Sequence, residues 1–182
     1  MKTFLKTYKS RVTILLLTLL IVNIIAIRIF EAPLKNEVCK GGIVSFELAK
    51  DLDKTVKILD SWDVNAKINM SLSLGFDFLF IMVYSSFIAL LIFNVNTTLW
   101  EKRTFYKVGN LLIGLIFIAA LFDIVENIAL IKLLNGSLEQ IWSSVAFYFA
   151  SAKFTIILIS IAYLLVNWIL LIFNISKKTL RN

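Results

Sequence analysis

The chain has 182 residues, of which 59% are hydrophobic and 17% charged, and its mean hydropathy is +0.87. That balance excludes an ordinary soluble domain and predicts a single membrane-embedded one. The net charge is +7, but the basic residues flank apolar runs, where they set membrane orientation rather than grip nucleic acid, so no nucleic-acid partner is expected.

The first predicted element is a span from about Val12 to Phe30. It follows Lys2, Lys6, Lys9 and Arg11 and precedes the only proline, Pro33. The basic flank imitates a signal peptide, yet no small-residue cleavage site follows the apolar run, so we expect a retained membrane helix. Arg28, near its end, can snorkel to the interface. Cys39 is the only cysteine and the chain has no histidine. An internal disulfide, the usual Cys/His zinc sites and histidine chemistry are therefore excluded, and neither a metal nor a cofactor is expected. Cys39 is read as an ordinary thiol near the interface.

The segment from Glu31 to Asn69 mixes seven acids with six lysines. Within it Phe46, Leu48, Leu52, Val56 and Leu59 recur mostly at three- and four-residue steps. This predicts one amphipathic helix from about Ile43 to Trp62, lying on or capping the bundle, or serving as a lid over a site between the spans. Trp62 suits the headgroup region.

A second span is predicted from about Met70 to Phe93, a third from Val108 to Leu134 and a fourth from Ile141 to Phe173. Each exceeds the roughly 20 residues that a 30 Å hydrocarbon core requires. Asn135-Gly136 signals the turn between the last two, and Ser137 with Gln140 fits a capping box. The expected fold is thus an all-α, four-helix membrane bundle, a single domain over residues 1–182, with an external amphipathic helix between the first and second spans. Lys102, Arg103 and Lys107 lie between spans two and three, and Lys177, Lys178 and Arg181 follow span four. With the N-terminal set they mark one side, which the positive-inside rule makes cytoplasmic, together with both termini.

Four ionisable residues fall inside these spans: Asp77, Asp123, Glu126 and Lys153. Each costs roughly 2.5–3.5 kcal/mol at the bilayer centre on insertion scales, so such residues persist when paired, hydrated or used. Counting along each helix at the 1.5 Å rise puts all four near one depth, slightly to the external side of centre. Asn23 on the first span falls at a similar level. Asp123, Glu126 and Asn127 stand at i, i+3 and i+4, on one face of the third helix. Tyr84 follows Asp77 by seven residues, again on a shared face, and Ser160 follows Lys153 likewise. The expected ion or ligand site is therefore Asp77, Asp123, Glu126, Asn127, Lys153, Tyr84 and Asn23. Three carboxyls against one ammonium predict that Lys153 pairs with one carboxylate and that at least one other carboxyl keeps its proton.

The fragments Ser45-Phe46-Glu47-Leu48-Ala49, Ile58-Leu59-Asp60-Ser61-Trp62, Asp77-Phe78-Leu79-Phe80, Asp123-Ile124-Val125-Glu126-Asn127 and Ala152-Lys153-Phe154 resemble a pattern in uncharacterised bacterial four-span inner-membrane proteins. The resemblance implies the bacterial inner membrane and no particular activity.

Three functional classes fit these features. One is transport or channel activity, in which the cluster handles protons, small cations or a small polar solute. Four spans leave little room for a pore, so this reading calls for a homo-oligomer. A second is binding, or enzymatic turnover, of a lipid-like amphipathic molecule whose polar head meets the cluster. No nucleophile–base pair or metal set appears, so the balance leans away from an enzyme. A third is an accessory subunit of a larger membrane complex. On sequence grounds transport stands slightly ahead.

Overall fold

The computed structural model describes residues 2–101 and 105–179, with side chains over 10–101 and 105–173. The described residues are helical and contain no strand. Four long helices, α1 (Lys2–Glu31), α4 (Val64–Leu99), α5 (Tyr106–Leu134) and α6 (Gln140–Thr179), form the bundle. Two short ones, α2 (Ile43–Glu47) and α3 (Leu52–Asp60), lie between α1 and α4.

The long helices contain stretches long and apolar enough to cross a membrane: Ser10–Leu34, Val64–Leu99, Tyr106–Leu134 and Gln140–Phe173. Large apolar side chains face outward along them, including Ile14, Leu15 and Val22 on α1 and Leu158, Leu165 and Val166 on α6. So much apolar surface is an aggregation liability in water and suggests a multi-pass membrane protein. Of the basic residues that set the expected orientation, Lys2, Lys6, Lys9, Lys102, Arg103, Lys177, Lys178 and Arg181 fall outside the residues whose side chains are described.

Helix α1 closes at Glu31 into a short 3-10 turn that carries Pro33. Helix α4 begins six residues earlier than the apolar run suggests, because Asp63 caps it by accepting a hydrogen bond from the Ala66 N–H at 2.7 Å. Between α5 and α6, Gly136 takes a φ of 89°. The Ser137 N–H then bonds back to the Lys132 carbonyl and the Gly136 N–H to Leu133, a helix end that glycine favours.

The single amphipathic helix expected over Ile43–Trp62 is two helices. The chain breaks at Leu48–Asp51, where Lys50 adopts a φ of 64°. Gln140 stabilises the break: its amide donates to the Lys50 carbonyl and its carbonyl accepts from the Leu52 N–H, both at 2.9 Å. The expected capping role of Gln140 beside Ser137 is replaced by this long-range tie.

The segment between α1 and α4 is a packed cap. Leu34, Cys39, Ile43, Phe46, Ile58, Leu59 and Trp62 share one core with Met70 and Leu74 of α4, Leu130 and Leu133 of α5 and Ala146 of α6. Trp62 faces this core rather than the headgroup region: it is 3% exposed, meets Phe46 edge-on and donates its indole N–H to the Leu34 carbonyl. Cys39 is fully buried, with its thiol donating to the Gly42 carbonyl.

Within the bundle α5 packs on α6, α4 on α5 and α1 on α4. Buried Gly109, Ala119 and Ala129 let α5 approach its neighbours closely. Helices α1 and α6 have no comparable packing against each other. The seam between them is where the cavity lies.

Candidate functional site

Lys153 on α6 stands at the centre of the polar site. Its ammonium donates to Asp123 Oδ1 at 2.5 Å and lies 2.7 Å from Glu126 Oε2. Both carboxyls come from α5, whose i, i+3 spacing presents them side by side. The expectation of one carboxylate partner is therefore exceeded by one. Lys153 and Asp123 are buried and Glu126 is fully so. Such a cluster persists only with charges matched and hydrogen bonds made, because desolvating each ion costs several kcal/mol.

Tyr84 on α4 donates its hydroxyl to Asp123 Oδ2 at 2.9 Å. Asn127, one turn beyond Asp123, donates its amide to Asp77 Oδ2 at 2.6 Å. Six of the seven residues expected from sequence thus converge. Asn23 stands apart: its amide donates to the Leu19 carbonyl one turn back on its own helix.

The residue that sequence reasoning missed is Glu47. It ends α2, is 6% exposed, and its carboxyl abuts that of Glu126. Burial raises the Glu47 carboxyl above the ordinary carboxylate range, against the pull of Lys153. A signal was present. Glu47 is the only charge between Gly41 and Ala49, and a lone acid in an apolar stretch is a buried-group warning even outside a span.

Part of this cluster lines a 470 Å³ cavity, within the usual range for small-molecule sites. Glu47, Asp77, Asp123 and Lys153 supply its charged lining, and Gly41, Ile43 and Val44 of the cap also line it. Leu20, Ile24 and Ile27 of α1, Phe154, Ile157 and Ile161 of α6, and Phe80, Tyr84 and Ile88 of α4 make up much of the remaining lining. Arg28 and Glu31, 3.5 Å apart, sit at the rim.

Several polar atoms here lack hydrogen-bond partners: Glu47 Oε2, Glu126 Oε1 and Asn127 Oδ1. Buried acceptors of this kind are costly and call for a proton, a water or a ligand. No group of three His, Cys, Asp or Glu that could hold a metal ion occurs among the described residues. Comparison with family models, curated proteins and solved structures returns no match for this chain.

Proposed function

We propose that the protein is a multi-pass membrane protein that binds an amphipathic, lipid-like molecule in the seam between α1 and α6. The observation that carries this reading is the cavity's polarity. Glu47, Asp77, Asp123 and Lys153 gather in one part of the lining, and aliphatic and aromatic side chains make up most of the rest, with Arg28 and Glu31 beside them. That is the shape of a polar head and an apolar tail. Because α1 and α6 do not close on one another, the ligand enters sideways from the lipid, tail alongside Ile24 and Ile157. In keeping with the charge pattern of the sequence, the site lies toward the outer face of a bacterial inner membrane, with both termini inside.

Transport of protons or cations is less well supported. Beyond Tyr84 the core is dominated by Ile92, Leu112, Ile116 and Leu164, and among the described residues no acid or base is buried there to carry an ion onward. An enzyme needs a nucleophile or a water-activating pair, and the cluster's best-placed carboxylates are held by Lys153.

Native mass spectrometry of protein released from its own membranes tests the reading. The expected spectrum carries a small-molecule adduct that Ile157→Trp, which fills the tail slot, removes. A bare chain in the wild type, combined with proton flux in liposomes that Glu126→Gln abolishes, would overturn it in favour of transport.

A further inference from the structure

We propose that the ligand's head group is a cation, an alkyl chain bearing a protonated amine, held between Glu47 and Asp77. This rests on the amphiphile reading and goes further by fixing the charge of the head.

Four carboxyls, those of Glu47, Asp77, Asp123 and Glu126, surround one ammonium. Lys153 is spent on Asp123 and Glu126, at 2.5 and 2.7 Å. Among the described residues neither Glu47 nor Asp77 makes a direct ion pair, and both line the cavity. Asp77 has one recorded donor, the Asn127 amide. Glu47 is 94% buried by its 6% exposure, and its Oε2 accepts from nothing. An alkylammonium supplies three N–H donors and one positive charge, matching the two missing terms.

The walls agree with the charge. Phe80, Tyr84 and Phe154 line the same cavity, and aromatic faces attract a desolvated cation. Lys153 itself already stands 5.0 Å from the Phe154 ring centroid. An anionic head would meet Glu47 and Asp77, while the cations that line the cavity, Lys153 and Arg28, already face carboxylates of their own. Along α6, Lys153 to Ile161 spans about 12 Å at the helical rise, which gives room for a medium alkyl tail.

The full chain in phosphatidylcholine nanodiscs, titrated with dodecylamine, dodecanol and dodecanoate at neutral pH, tests the head-group assignment. Dodecylamine is expected to bind at least about tenfold more tightly than dodecanol, and dodecanoate more weakly than either. Glu47→Gln and Asp77→Asn should each erase most of that preference, weakening dodecylamine far more than dodecanol. Should Glu47→Gln fail to fold, Asp77→Asn, which sits at a half-buried position, carries the test alone. Equal binding of amine and alcohol, or a preference for dodecanoate, would overturn the cationic head while leaving the amphiphile site standing. Binding of none of the three would sink the amphiphile reading itself.

Discussion

Two buried polar clusters among the described residues differ in kind. Near the far end of α4, Asn96 donates its amide to the Tyr106 carbonyl at 2.9 Å and to Asn110 Oδ1 at 3.1 Å. It accepts from the Tyr163 hydroxyl at 3.3 Å. Beside it the Trp100 indole N–H donates to Asn167 Oδ1, and the Asn167 amide returns to the Tyr163 carbonyl. Everything there is neutral and satisfied, and a Cβ at Gly109 would collide with the Asn96 side chain. The cluster at the cap end is charged, acid-rich and short of donors, and it borders a cavity. The first arrangement locks helices together. The second leaves buried acceptors unmet beside a cavity that Glu47, Asp77, Asp123 and Lys153 line, as a binding site requires. Buried polarity alone does not mark function; incomplete buried polarity beside a cavity does.

The largest expected effect falls on the shared centre of the charged cluster. Lys153→Met leaves Asp123 and Glu126 buried without a counter-ion, a loss of about 3–5 kcal/mol. A thermal melt of the detergent-solubilised protein should show it as a collapse of the transition, partly restored by Lys153→Arg. A melt within a degree of wild type would mean that the ion pairs are not holding the bundle together.

Next comes Asn96→Ala, which strands the Tyr163 hydroxyl and the Tyr106 carbonyl at a cost of about 1–3 kcal/mol. Amine binding should be unchanged. If it disappeared, the division between a locking cluster and a binding cluster would fail.

Glu47 gives a smaller, pH-dependent effect. Its carboxyl is raised by burial, so the folded state holds the proton more tightly than the unfolded chain does. That stabilisation is complete below the ordinary value of 4.5 and is lost as pH rises through the folded-state value. Melting temperature should therefore fall as pH is raised across this window, and Glu47→Gln should flatten the slope. An unchanged slope in the variant would assign the pH dependence to other groups. The smallest stability change belongs to Asp77→Asn, below about 1 kcal/mol, because an amide oxygen can still accept from Asn127. Its cost should appear in amine affinity instead. A large melt shift without an affinity change would make Asp77 a locking residue like Asn96.

Much of this was legible in the residues themselves. The run of Asp123, Glu126 and Asn127 fixes one helix face by periodicity alone, and the depth of Lys153 follows from counting along its apolar stretch. Asn23 shows the limit of depth as a guide: counting along the span places it at a matching level, but its amide donates to its own backbone at Leu19. Gln140 shows the limit of local motifs, since a partner 88 residues away outcompetes Ser137 for its side chain.

The sequence by itself determined four long apolar helices and which ionisable residues share a helix face, because span length and helical periodicity leave little freedom. Only the tertiary structure decided that α2 breaks from α3 at Lys50, that Glu47 is carried from the cap onto Glu126, and that the seam between α1 and α6 stays open. Those outcomes depend on contacts between residues far apart in the chain, and periodicity does not encode them.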